Sequence, residues 1–212
     1  MSVSITETDI LSSLVGEVKF MDVNKSLMVS PVIPKGDKYF PVDVVNKLYD
    51  VIDNARDKAY VMYHIETGLR VSDVVSTEIV HVDWQLLKTY TYDHKKDAWR
   101  WVFFPEKVKS VLKMWLKQRQ IDGVKSRLLF PFCGKTCNRI LRFWCERIGF
   151  VYASRVGSHW CRHTFIKLSR RVGRDIKAVQ QNTGDSIKTL LEWYSDLSGE
   201  EMRLEIEGKP IT

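Results

Sequence analysis

The sequence predicts an α+β fold, mostly helical, with one small three-stranded antiparallel sheet. Two observations carry that expectation. From Phe40 onward apolar residues recur at helical spacing over most of the chain, as in Val44, Val45, Leu48, Val51 and Ile52. One central stretch breaks the pattern with three short runs rich in Val, Tyr, Trp, Phe and Thr, residues that favour a pleated surface. The 212 residues, 44% of them hydrophobic, suffice for one large domain with a substantial core.

Each element has its own signal. Residues 1–35 alternate weakly around a Pro31/Pro34-Lys-Gly break and read as an N-terminal arm or linker; residues 36–212 form the main domain, with a tail from about 198. Pro41 suits a first helical turn. A second helix is expected over 54–66 with Ala59, Val61, Met62 and Ile65 inward, ended by Thr67-Gly68. Ser72 could cap a short helix over 73–80, with Asp73 in its first turn. Strands follow over 81–87, 88–93 and 99–104, and the polar His94-Lys-Lys-Asp makes a hairpin tip. Pro105 opens a basic amphipathic helix with Val108, Val111, Leu112, Trp115 and Leu116 on one side. Further helices are expected over 138–148, 164–172, 175–181 and 186–194, with Gly149, Gly173 and Gly184 between them, and a helix reaching back over Ser158–Arg171 is what would set His159 and Arg162 towards one pocket.

Composition limits the function. Lys and Arg total 33 against 26 acidic residues, a net charge of +7, and they bunch in residues 107–119, 125–147 and 167–188. Such bunching favours a basic face for a polyanion over scattered solubilising charge. No apolar run approaches the roughly 18–20 residues that span a bilayer, and the N-terminus lacks a signal-peptide pattern. The chain therefore reads as soluble and cytoplasmic, without a membrane partner. Cys133, Cys137, Cys145 and Cys161 lack the paired Cys-x-x-Cys spacing of zinc ribbons and read as reduced thiols. A phosphate-binding glycine loop, a His-Glu-x-x-His helix and a Gly-x-Ser-x-Gly elbow are all missing.

Five positions could carry chemistry. Arg70 follows a helix-ending Thr-Gly, where its planar fork could grip a phosphate; the plainer reading is a surface arginine paired with Asp73 or Glu66. Lys95, with Lys96 as alternative, sits at the hairpin tip, where an ammonium can donate a proton or simply be a polar turn residue. His159 and Arg162 lie about one turn apart on a helix and can face one pocket, although a histidine there can equally be structural. His163 points elsewhere and reads as a helix-core or backbone-capping residue. Tyr194 follows Trp193, and the two cannot face the same way. A tyrosine hydroxyl, with its pKa near 10, becomes a useful nucleophile only where cations stabilise the phenolate.

In order and spacing, these residues resemble the catalytic domain of the tyrosine recombinases, the phage and archaeal-virus integrases, over roughly residues 40–198. Thr67-Gly-Leu-Arg70-Val-Ser-Asp73 is similar to the family's first arginine box, and Ser158-His159-Trp-Cys-Arg162-His163-Thr-Phe165 to its second. Gly184-Asp185-Ser186 and Tyr194 follow, with steps of 23 positions from Arg162 to Asp185 and 9 from Asp185 to Tyr194. The resemblance implies site-specific DNA recombination or integration, viral genome integration included, with host-cell cytoplasm as the compartment for a viral protein. Tyr194 would attack the scissile phosphate to give a 3′-phosphotyrosine and a free 5′-hydroxyl. Arg70 and Arg162 would clamp the non-bridging oxygens, His159 would assist proton transfer, and Lys95 would protonate the leaving oxygen. No cofactor or metal is implied. The implied partners are double-stranded DNA attachment sites and, on DNA, three further copies in a homotetramer, with a monomer when isolated. Two departures stand out. The family usually has His or Trp where this chain has Asp185, which would repel phosphate if ionised and so is expected to orient Arg162, His159 or a backbone amide. Family members also usually carry a helical domain ahead of the catalytic one. Two other readings stay open: relaxation of DNA like a type IB topoisomerase, and a DNA-binding module of this fold with weak or no catalysis.

Overall fold

The computed structural model describes residues 38–93, 96–194 and 207, all within one unit, Pro34–Thr212. The expected N-terminal arm, and the tail from about 198 apart from Glu207, lie outside the described residues.

Helix α1 (Val42–Val51) follows Pro41, which holds the N-cap position and accepts a hydrogen bond from the Val45 amide. It buries Val44, Val45 and Leu48. Val51, one of the apolar residues at helical spacing, is exposed; the helix ends there and the next residue, the extended Ile52, is buried. Helix α2 (Ala55–Thr67) is the centre of the domain. The Asn54 side chain caps it at the Asp57 amide, and nine of its residues are buried on all sides of the helix. Its Asp57 carboxylate accepts from Trp144 Nε1 at 2.9 Å, which ties α2 to a helix 87 positions downstream.

Helix α3 (Val71–Ser76) differs from the expectation of a Ser72-capped helix over 73–80. It begins two residues earlier, with Arg70 at the cap position, and the Ser72 hydroxyl donates to Asp73 Oδ1 instead of capping backbone. It stops at Ser76 because the chain turns extended and bonds to the 127–129 segment: the Leu129 amide donates to Thr77 O, and the Ile79 amide donates to Arg127 O. A 3-10 turn, Ile79–His81, leads into the sheet.

The sheet has the expected three antiparallel strands in the order β1 (Val82–Asp83), β2 (Lys88–Asp93), β3 (Ala98–Phe103). Strand β1 is far shorter than the expected 81–87, since the Asp83 carboxylate accepts from the Gln85 and Leu86 amides and closes a turn. Strand β2 is regular, with Thr89, Thr91 and Asp93 inward. Register pairs Thr91 with Arg100 and Thr89 with Val102, which puts Arg100 and Val102 on the same inner face. The outer face is aromatic: Tyr90 stacks on Trp99 at 4.8 Å and leans on Trp101 at 4.5 Å.

Helix α4 (Glu106–Ile121) packs along α2 through Val108, Leu112 and Trp115. Its Arg119 is buried, and the guanidinium staples the 126–129 loop by donating to the Ser126, Leu128 and Leu129 carbonyls. Helix α5 (Gly134–Arg147) starts a turn earlier than expected, because Cys133 O accepts from the Thr136 and Cys137 amides. Helix α6 (Ser158–Arg171) begins six residues ahead of the expected 164–172, whereas α7 (Ile176–Thr183, capped by Asp175) and α8 (Ile187–Tyr194) match the sequence pattern within a residue or two. They meet over Phe165, Ile166, Val179 and Leu190. All four cysteines are free thiols, Cys133 exposed and the others buried. Among the described residues, no helix is long and apolar enough to cross a membrane.

Candidate active site

The site is built on the tight link between α2 and α3. Gly68 has φ +64°, and a Cβ there would lie 2.4 Å from Phe165 Cδ1, so this backbone packs directly on a ring of α6. Only glycine fits both demands. The next two carbonyls are tied inward. Gly68 O accepts from Arg162 Nη1 at 2.7 Å, and Leu69 O lies 3.1 Å from His64 Nε2. A carbonyl only accepts, so His64 Nε2 carries the proton and Nδ1 accepts from the Tyr60 hydroxyl at 3.0 Å. Burial holds the His64 pKa down to about 3, which keeps the ring in this neutral form. Arg70 therefore projects from a loop whose backbone is held from beneath.

Arg70 and Arg162, 92 positions apart, converge on one carboxylate. Asp185 Oδ1 takes Arg70 Nη2 at 3.1 Å, and Asp185 Oδ2 takes Arg162 Nη2 at 2.6 Å. Arg162 is only 5% exposed, and its Nη2 also donates to Thr183 O at 2.8 Å. Burial lowers its pKa while Asp185 opposes the shift. The carboxylate partners of Arg70 are thus Asp185 and, at 3.5 Å, Asp93, not the Asp73 or Glu66 of the plainer sequence reading. Glu66 instead pairs with Lys107 and Tyr49. Asp185 does reach Arg162, one of the three partners expected for it, and reaches Arg70 as well.

Behind these arginines lies a layer that sequence reasoning missed. Arg100 of β3 pairs with Asp73 Oδ2 at 3.5 Å and Asp93 Oδ2 at 3.6 Å. Cations and anions then alternate through the domain in the order Asp73, Arg100, Asp93, Arg70, Asp185, Arg162. A signal for this layer existed: Asp93 and Arg100 both occupy inward positions of a period-two pattern, and charges are buried there only when paired. His64 gave no such signal, since a histidine within an apolar helix has no periodic mark of its own.

His159 stands exposed in the first turn of α6, its ring 6.3 Å from that of His163. His163 Nδ1 bonds Lys38 O at 3.0 Å, and burial lowers its pKa to about 4. Lys95 lies outside the described residues. Lys96 is exposed at the hairpin turn, where its amide donates to Asp93 O at 3.0 Å. Tyr194 ends α8 and is described by its backbone alone; its side chain lies outside the description. Among the described residues, no three His, Cys, Asp or Glu side chains cluster as a metal site would require.

Two guanidinium groups brought together on one carboxylate can, as a pair, offer donors to the non-bridging oxygens of a phosphodiester. Comparison with known proteins gives the arrangement its context. The model of the phage integrase family matches residues 38–201. The chain belongs to the phage integrase family. Tyrosine recombinase XerA of Pyrococcus furiosus is 26% identical over 212 residues, covering 93% of this chain and 72% of that protein. Tyrosine recombinase XerC of Mannheimia succiniciproducens is 24% identical, covering 89% of this chain and 69% of the relative. Against the XerA of Saccharolobus solfataricus the chain spans 62% of the relative's length. The crystal structure of XerA recombinase superposes with a TM-score of 0.71 at 26% identity, covering 82% of this chain and 66% of that one. XerH bound to its difH substrate in a pre-cleavage complex shares the fold, with a TM-score of 0.65 at 20% identity, over 86% of this chain and 57% of that one. This phage integrase family domain thus has the mostly helical fold and small antiparallel sheet expected of a tyrosine recombinase catalytic domain.

Proposed function

We propose that this phage integrase family protein is a site-specific DNA recombinase that cleaves and rejoins strands through Tyr194. The observation that carries the reading is the convergence of Arg70 and Arg162 on one anionic group, Asp185. In the proposed reaction the Tyr194 oxygen bonds to the scissile phosphorus and gives up its proton. His159, exposed beside Arg162, assists that transfer. The bond from phosphorus to the 5′ oxygen breaks, and Lys95 protonates the leaving oxygen. A 5′-hydroxyl of a second strand then attacks the phosphotyrosine and releases the tyrosine. Arg70 and Arg162 stabilise the charge that grows on the non-bridging oxygens, a contribution of about 10²–10³ in rate for one well-placed donor. The partner is double-stranded DNA, in keeping with the net charge of +7 and with the DNA-bound state of the XerH structure. Exchange between two sites calls for a homotetramer on DNA, and integration of a viral genome is one use of such an exchange.

The test uses a pool of nicked duplexes of random sequence, in which cleavage next to the nick loses the short strand and traps the adduct. A covalent protein–DNA adduct on a recoverable subset, abolished by Tyr194→Phe, supports the proposal. DNA retention without any adduct would leave a binding module, and relaxation of supercoiled DNA without site preference would favour a topoisomerase.

A further inference from the structure

We propose that Arg100 is a positioning residue for DNA cleavage, setting Arg70 through Asp93 and the Asp185 segment through the carboxyl end of α7. The inference rests on Arg70 and Arg162 being the phosphate clamp.

Arg100 is placed to do this by four elements at once. It stands on β3, opposite Thr91, and points into the domain. Its Nη1 donates to Gln181 O at 3.0 Å and Asn182 O at 2.5 Å, and its Nη2 to Thr183 O at 3.4 Å. Those are last-turn carbonyls of α7, which lack helical partners and sit at the negative end of the helix dipole. The same guanidinium faces Asp73 on α3 and Asp93 on β2. Gly184 closes the arrangement: with φ +72°, a Cβ there would meet Asp93 Oδ2 at 2.5 Å and Arg100 Nε at 3.0 Å. The residue after it is Asp185.

Two routes therefore run from Arg100 to the clamp. Asp93, only 1% exposed, gives one oxygen to Arg100 and the other to Arg70. Thr183 O receives both Arg100 and Arg162, so the α7 terminus is gripped from two sides directly ahead of Asp185. Burial lowers the pKa of Arg100, with Asp73 and Asp93 opposing the shift. A strut for the sheet alone could be apolar, because a buried ionic pair gains little over well-packed hydrophobic residues. What an apolar residue could not do is place Asp93 and the carbonyl end of α7 together.

Single-turnover cleavage separates positioning from support. A nicked duplex recovered from the random pool is made twice, with an ordinary scissile phosphate and with a methylphosphonate there. The methylphosphonate lacks one anionic oxygen, so less charge is left for the arginines to neutralise. Arg100→Met is expected to cleave the ordinary phosphate roughly 10–100-fold more slowly, the scale of a small misplacement of catalytic groups, with DNA affinity unchanged. On the methylphosphonate its deficit relative to wild type should shrink, as should that of Arg70→Ala, and Arg100→Lys and Asp93→Asn should fall between Arg100→Met and wild type on the ordinary phosphate. An equal deficit on both substrates, or none on either, overturns the inference. Relief of Arg70→Ala without relief of Arg100→Met overturns the inference and leaves the clamp standing; no relief of Arg70→Ala overturns both. Circular dichroism melts of Arg100→Lys and Asp93→Asn keep a folding defect from passing as a positioning one.

Discussion

Asp185 is a carboxylate placed between the two arginines of the proposed phosphate clamp. It neutralises half of two guanidinium groups and orders both, so removing it has two opposed effects. Arg70 keeps Asp93 as a partner, and Arg162 keeps the Gly68 and Thr183 carbonyls, so neither arginine is released outright. One negative charge less beside the phosphate raises DNA affinity. Asp185→Ala is accordingly expected to bind DNA more tightly than wild type and to cleave more slowly, yet to lose less rate than Arg70→Ala. The latter should fall about 10²–10³-fold in single-turnover cleavage, since it deletes a donor at the growing charge. Equal or greater loss in Asp185→Ala would show that ordering the arginines matters more than the charge removed. Arg70, Arg162 and Asp185 were legible as candidates from the sequence because their types and spacings form a pattern, and the structure brings these three together. Their contacts were not: which carboxylate meets which arginine depends on how α3, β2 and α7 pack, and no spacing along the chain encodes that.

The elements carry the site through close backbone approaches. At the turn between α2 and α3 the Gly68 backbone touches the Phe165 ring. Gly68→Ala would strain a left-handed residue by about 1–2 kcal/mol and add an overpacking cost of roughly 1–3 kcal/mol against that ring. The second part disappears if the ring is removed. The double variant Gly68→Ala/Phe165→Ala is thus expected to be less destabilised than the sum of the singles in urea titrations. Strict additivity would show that the ring is not what glycine accommodates. Helix positions followed well from apolar spacing where a helix buries a continuous face or more, as α1, α2 and α4 do. The misjudged ends have local causes: Thr77 pairing with Leu129 stops α3, and the Asp83 turn truncates β1. Both are long-range pairing or side-chain turn effects that override propensity.

At the scale of the whole molecule, stability depends on histidines kept neutral by burial. His64, fully buried under the Arg70 loop, has a pKa of about 3 in the folded chain against about 6.5 in an unfolded one. As pH falls below about 6.5 the unfolded chain takes up this proton and the folded chain does not. The stability that neutral His64 contributes is therefore fully present above pH 6.5 and is lost as pH falls towards 3, by about 1.4 kcal/mol per pH unit. His163, lowered to about 4, acts in the same direction over a narrower window. Urea denaturation at pH 7.5, 6 and 5 should show the wild type losing stability steadily. His64→Gln loses the proton-linked term but keeps a side-chain amide that can bond Leu69 O and the Tyr60 hydroxyl. Its curve should start lower at pH 7.5 and fall less steeply, so that the gap between the two proteins narrows as pH drops. A gap constant with pH would mean that His64 titrates alike in folded and unfolded chains, and that the floor beneath the Arg70 loop is not closed to water.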